Sequence, residues 1–166
     1  MKGHILIVED YTDWREMLSD LIRHEGYQVE AVDSFEAAQS YLQSSSDLDV
    51  AILDIRLMET DEANEDGLRL LAQIHRQQPF TRVIMITGYG TMEIQRKAFR
   101  EFGAYDFFRK EEFDSDEFRK SVQEGVEEAA RERQASKGKE YISGHRYKMW
   151  QKATGIKGPR DQGTEG

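Results

Sequence analysis

Four apolar runs, each followed within two residues by a polar group, constrain this chain more than any other feature. Ile5-Leu6-Ile7-Val8 leads into Glu9-Asp10, Val50-Ala51-Ile52-Leu53 into Asp54, Val83-Ile84-Met85-Ile86 into Thr87, and Tyr105-Asp106-Phe107-Phe108 into Lys110. Near-continuous apolar runs are the signature of parallel strands covered on both faces. In an open α/β sheet the ligand crevice lies beyond the carboxyl ends of such strands. Three acids, a hydroxyl and an amine are therefore expected along one edge. Clustered carboxylates repel one another and become tolerable when a divalent cation neutralises them, so a magnesium-like ion ligated by oxygen is the simplest reading of the acids. The lysine and threonine would then face an anion.

The segments between these runs carry helical periodicity. Trp14, Met17, Leu18, Leu21 and Ile22 recur at three-and-four spacing, with Gly26 as a left-handed stop. Asp13 and Glu16 stand at capping-box spacing, which gives Asp13 a structural task outside the acidic cluster. A short strand is expected over Gln28–Val32, then a helix from Ser34 with Phe35, Ala38, Tyr41 and Leu42 inward. An acidic loop after Asp54 leads to Gly67 and a helix that buries Leu68, Leu71 and Ile74 and stops before Pro79. Gly88-Tyr89-Gly90 forms a turn before a helix through Met92, Ala98 and Phe102, closed by Gly103. The last helix starts near Asp114 or Ser115 and lines up Phe118, Val122, Val126 and Ala129. Five strands alternating with five helices define an α/β doubly wound parallel sheet with helices on both faces.

Length and charge set the organisation. The 166 residues accommodate one domain over 1–133 and a C-terminal extension over 134–166. With no cysteine there are neither disulfides nor thiolate metal sites, and the four histidines are scattered. Residues 1–132 carry 15 positive and 29 negative charges, whereas 133–166 carry 8 and 3. The body should repel nucleic acid, and a nucleic-acid partner is not the expected one; the basic extension is read first as a solvated tail, with contact to an acidic partner, RNA, DNA or a membrane surface as the alternatives. There Tyr141, Ile142, Tyr147, Met149 and Trp150 interleave with Lys139, His145, Arg146, Lys148 and Lys152. Two readings stand level: the aromatics fold back on the body, or they bind nucleic acid or a partner groove. The final helix is expected to run past Arg133 and to end or loosen at Gly138, with a disordered end after Thr154. No run has the length of a membrane span or the form of a signal peptide, so a cytoplasmic protein without membrane contact is expected.

The order and identity of Glu9-Asp10, Asp54, Thr87 and Lys110 resemble the receiver domain of two-component response regulators, the fold of chemotaxis regulators. The resemblance covers about the first three quarters of the chain. It implies strand order 2-1-3-4-5 and a phosphoryl group accepted on Asp54 from a histidine kinase or phosphotransfer protein. It further implies magnesium or manganese held by Glu9, Asp10, Asp54 and the backbone carbonyl of Arg56, with Thr87 and Lys110 on the phosphoryl oxygens. Thr87 and Phe107 would form the switch, and the fourth helix, fifth strand and fifth helix the output face, open to a downstream protein or to a homodimer. Such a chain would be no enzyme beyond transfer to its own aspartate and slow self-dephosphorylation. Flavodoxins share the strand order, but the charge of Glu9-Asp10-Tyr11 would repel a flavin phosphate.

Several residues depart from the family pattern. The family usually places proline after the lysine, whereas Glu111-Glu112-Phe113 follow Lys110 here and Arg109 stands beside it as a second cation. An acidic insertion, Leu57 to Glu65, precedes Asp66-Gly67. Arg56 and Tyr89, each two residues past a site residue, are expected to shield the acyl phosphate and make it long-lived. Taken together, the sequence reads as a stand-alone receiver signalling through protein contacts. The alternative is a receiver-like adaptor that binds partners without being phosphorylated.

Overall fold

Uninterrupted apolar runs form the middle of a five-stranded parallel sheet in the computed structural model of the chain. It describes residues 3–45, 47–57 and 63–154, apart from the side chains of 138–151, 153 and 154. In chain order the elements are β1 His4–Val8, α1 Thr12–His24, β2 Gln28–Val32, α2 Phe35–Ser44 and β3 Val50–Leu53. They continue with α3 Asp66–Gln77, β4 Arg82–Thr87, α4 Met92–Arg100, β5 Asp106–Arg109, a 3-10 turn over Lys110–Glu112, and α5 Ser115–Thr154. The strand order is β2-β1-β3-β4-β5, every pair parallel, as the sequence led us to expect. By internal contacts the chain divides into two units at Ala130 and Arg131.

Alternate residues of each central strand feed two separate cores, which is why these strands show no polar face. On one side Leu6, Val8, Ala51, Leu53, Val83 and Met85 pack with Leu42 of α2, Leu71 and Ile74 of α3 and Ala98 of α4. On the other, Ile5, Ile7, Val50, Ile52, Ile84 and Ile86 pack with Leu18 and Ile22 of α1 and Phe118 and Val122 of α5. Burial of such side chains contributes roughly 1.5–3 kcal/mol each before conformational entropy is set against it.

Local signals account for most of the boundaries. Ser34 caps α2 by accepting from the Ala37 amide at 3.2 Å, Thr91 caps α4 through Ile94, and Asp114 Oδ1 accepts from the Asp116 and Glu117 amides at the start of α5. Gly26 and Gly103 have φ of 93° and 74°, as left-handed helix stops require.

Two expectations need correction. Asp13 does not cap α1: the helix starts at Thr12, Tyr11 occupies the cap position without a side-chain bond, and Asp13 sits in the first turn. Nor does Gly138 end α5, whose backbone stays helical to Thr154. One glycine costs a helix only about 1 kcal/mol relative to alanine, and the alanine, lysine and glutamate around it favour the helix. The tail aromatics lie outside the described side chains, and the end after Thr154 lies outside the described residues.

Candidate functional site

The strand register brings the polar residues to one edge. Val8 pairs with Leu53 and Leu53 with Met85, so β1, β3 and β4 reach their carboxyl ends side by side. The ladder runs one residue further: the Asp54 amide donates to Val8 O and the Glu9 amide to Val32 O, each at 3.1 Å. Glu9 and Asp54 are thereby held by backbone as firmly as the strands themselves.

Asp54 is fully buried, with Oδ1 accepting from the Arg56 amide at 3.3 Å and Oδ2 from Lys110 Nζ at 3.1 Å. Glu9 is also fully buried, and its Oε1 accepts from Lys110 Nζ at 2.9 Å and from the Tyr11 amide at 3.2 Å. Its other oxygen, Oε2, is buried without a hydrogen-bond partner. Glu9, Asp10 and Asp54 each present a carboxylate oxygen within 4.8 Å of the others. One ammonium thus pairs with two of three clustered carboxylates, and an orphaned carboxylate oxygen lies among hard oxygen donors. That donor set fits a divalent cation of the magnesium type.

Protonation follows from this crowding. Burial, then the charge of Asp54, pushes the Glu9 carboxyl up from 4.5 to about 8, against the opposing pull of Lys110. Burial alone would lower Lys110, but Asp54 and then Glu9 outweigh it, so its pKa is raised and the amine is a firm cation at neutral pH.

The loop around Lys110 separates the two candidate cations. Arg109 pairs with Glu111 and Glu112 at the surface, which leaves Lys110 as the cation of the site. Lys110 opens the 3-10 turn instead of ending β5, and its Nζ also lies 5.2 Å from the centroid of the Trp14 ring. No cis peptide bond occurs among the described residues.

Thr87 ends β4 fully buried, its Oγ1 accepting from the Tyr89 amide at 3.2 Å. Phe107 is buried on β5, and a Cβ placed on Gly90 would come within 2.7 Å of its ring and 3.2 Å of the Thr87 methyl. Gly90 therefore packs between the two switch candidates. Arg56 presents its amide to Asp54 and lays its guanidinium on the Tyr89 ring, 3.3 Å from carbon to centroid.

One residue of the site was not singled out from sequence, and a second was visible there only as part of a motif. Arg15 Nη1 donates to the carbonyls of Glu9 and Asp10 at 3.0 and 3.3 Å and so braces the acidic loop. Gly67 donates its amide to Ile55 O at 2.9 Å, and a Cβ there would sit 1.8 Å from the carbonyl oxygen of Asp54. The Asp66-Gly67 pair was visible as a motif, but its packing against Asp54 was not. The base of the acidic insertion is closed by Asn64 Oδ1, which accepts from the Leu57 and Asp66 amides, each at 3.1 Å. Residues 58–62 of that insertion lie outside the described residues. Among the described residues no helix is long and apolar enough to cross a membrane.

The family model for the response regulator receiver domain matches residues 5–123. The nitrogen assimilation regulatory protein NtrX of Azorhizobium caulinodans is 33% identical over 110 residues, which are 66% of this chain and 23% of that protein. Sporulation initiation phosphotransferase F of Bacillus subtilis is 31% identical over 123 residues, 74% of this chain and 92% of that protein. The receiver domain of NtrX from Brucella abortus superposes with a TM-score of 0.64 at 30% identity, covering 74% of this chain and 98% of that one. A receiver-domain protein of Methanospirillum hungatei, described as CheY-like, superposes at 0.69 with 25% identity, covering 78% and 98%. The chain spans only 21 to 25% of the length of regulators such as the Rickettsia bellii NtrX-like protein, NtrX and AtoC.

Proposed function

The chain belongs to the response regulator receiver domain family, and from that premise we propose that it accepts a phosphoryl group on Asp54 from a histidine kinase or phosphotransfer protein and signals through protein contacts. The observation that carries this reading is the fully buried Asp54 carboxylate, 3.1 Å from the Lys110 amine and clustered with Glu9 and Asp10.

In the transfer, one Asp54 oxygen attacks phosphorus in line, its bond to phosphorus forming as the donor's nitrogen–phosphorus bond breaks. Lys110 exchanges a carboxylate partner for a phosphoryl oxygen. The Thr87 hydroxyl, now an acceptor for Tyr89, has a hydrogen free to donate to a second phosphoryl oxygen, with the Gly88 amide beside it. Arg15 and the backbone ladder keep Glu9 and Asp10 in place throughout. Magnesium or manganese, held by Asp10, Asp54, Glu9 and the Arg56 carbonyl, would supply neutralisation of charge on the phosphoryl oxygens.

The readout follows from packing. When Thr87 is drawn toward the phosphoryl group, the space it leaves adjoins Phe107 and Gly90, so the loop into α4 and the α4–β5–α5 face move together. Met92 and Phe99 of α4 are exposed and give that face its apolar contacts for a protein partner or a second copy. The stand-alone reading is supported by the likeness to sporulation initiation phosphotransferase F, which this chain covers almost completely. The chain modifies itself and turns over no separate substrate, and the reading carries a cytoplasmic location with it.

Intact mass after incubation with a small phosphodonor and magnesium tests the proposal. One added phosphoryl group, absent in Asp54→Ala and without magnesium, is the expected result. No modification, with beryllofluoride also failing to bind, would overturn it in favour of an unphosphorylated adaptor.

A further inference from the structure

The amine that must reach the phosphoryl group sits on a surface loop, and its tethers are worth tracing. Arg109, Glu111 and Glu112 around it are exposed and, among the described residues, pair with each other. Phe113, three residues on, donates its amide to Lys110 O at 3.3 Å and turns its ring into the domain. There it meets Trp14 edge-on, with centroids 5.4 Å apart at 89°, and Phe118 at 5.4 Å and 54°. Phe118 is fully buried and abuts Phe108 at 5.6 Å. The loop is thus pinned through an aromatic stack that runs from α1 to α5.

Trp14 occupies the outer end of that stack, and its ring faces Lys110 Nζ at 5.2 Å. That separation lies inside the range over which an aromatic face attracts an ammonium, and indole is the strongest of the natural faces. Among the described residues the other partners of the amine are Glu9 and Asp54, two of the three groups of the candidate cation-binding cluster. A carboxylate oxygen given to a metal or to phosphorus no longer holds the ammonium as tightly. The ring holds it by its quadrupole, carries no net charge to compete with an incoming phosphoryl group, and is not itself a ligand.

We propose that Trp14 is a positioning residue that keeps the Lys110 ammonium aimed at Asp54 while its carboxylate partners change hands, with Phe113 fixing the ring. The effect of Trp14 on phosphoryl transfer rests on the phosphoacceptor reading above; its hold on the amine does not.

Two measurements test this. The first is the ring-current shift of the Lys110 ε-methylene protons by NMR, with and without magnesium. An upfield shift that is lost in Trp14→Leu and persists in the wild type with magnesium is expected; disappearance of the shift on adding magnesium overturns the proposal. The second is the phosphorylation rate with a small phosphodonor in wild type, Trp14→Leu, Trp14→Phe, Lys110→Met and the Trp14→Leu/Lys110→Met double variant. Trp14→Leu should slow transfer about three- to tenfold, Trp14→Phe should restore most of the rate, and the effect should vanish when Lys110 is already gone. An equal loss in the Lys110→Met background overturns the assignment, because Trp14 would then act on the fold and not on the amine. A wild type that takes no label sinks the phosphoacceptor reading instead, while the ring-current shift still decides whether Trp14 holds the amine.

Discussion

Arg56 and Tyr89 stack 3.3 Å apart, guanidinium carbon to ring centroid, and each is tied through its amide to a different functional side chain. The Arg56 amide donates to Asp54 Oδ1 and the Tyr89 amide to Thr87 Oγ1. The stack therefore bridges the loops after β3 and β4 beside the Asp54 carboxylate. A cation on an aromatic face is worth about 0.5–2 kcal/mol, enough to keep the bridge mostly closed.

An acyl phosphate formed on Asp54, as proposed, would lie beside that bridge. We expect the phosphorylated state to decay slowly, and Tyr89→Ala to hasten decay about three- to tenfold. Following intact mass after removal of the phosphodonor reads both rates. Equal decay in wild type and variant would show that the stack does not govern access.

The Glu9 carboxyl sets a pH dependence whose sign is fixed by its environment. Its pKa rises from 4.5 to about 8 in the folded protein, chiefly through burial. The folded state therefore binds this proton more tightly than the unfolded chain, and the stability it contributes is present below pH 4.5 and lost as pH rises through 8. The Lys110 pKa is also raised, from 10.5, so its contribution is lost only above that window. Metal-free protein should lose melting temperature from pH 5 toward pH 8, over the Glu9 window. Magnesium affinity should rise about tenfold per pH unit up to the Glu9 pKa, since the proton must leave for the cation to bind. Glu9→Gln should flatten the slope; a slope retained in that variant would place the titrating group elsewhere.

Much of this was legible before any coordinates. The central strands could be read because burial on both faces leaves no polar alternation in Ile5–Val8, Val50–Leu53 or Val83–Ile86, and Asp54 stood out as an acid at the end of such a run. The cap of α1 was misread because Asp13 and Glu16 satisfy a spacing rule two residues too late, while the loop is held by Arg15 donating to backbone carbonyls, a bond with no sequence signature. Gly138 was read as a stop because propensity is a weak, local quantity that neighbouring helix formers override. The stacks of Arg56 on Tyr89 and of Lys110 on Trp14 join residues far apart in the chain, so only the assembled sheet edge reveals them.

Gly90 couples the switch candidates sterically. A Cβ there would meet Phe107 Cε1 at 2.7 Å and Cζ at 2.8 Å, and the Thr87 methyl at 3.2 Å. Gly90→Ala should destabilise the protein by about 1–3 kcal/mol in chemical denaturation. Because the obstacle is a side chain, Phe107→Ala should absorb most of that cost, so the two changes should be strongly non-additive. Additive losses would mean that the glycine is needed for backbone reasons and that Phe107 is not what it touches.

Gly67 poses the opposite case, since what it touches is the backbone of Asp54 and Ile55. A Cβ at Gly67 would fall 1.8 Å from the Asp54 carbonyl oxygen and 2.6 Å from both Asp54 C and Ile55 Cα. No rotamer relieves such a contact; α3 must retreat, or the chain after β3 must shift and carry Asp54 away from Lys110. Gly67→Ala should cost about 3 kcal/mol or more, at the upper end of overpacking effects. Gly88→Ala is the matched control: its Cβ would meet only Lys110 Cδ, at 3.8 Å, an ordinary contact. Its stability should stay within roughly 1 kcal/mol of wild type. Urea unfolding of the two variants side by side checks the contrast. Comparable losses would mean that the start of α3 yields more easily than its fit against Asp54 implies, and that Asp54 is positioned by the β1–β3 ladder alone.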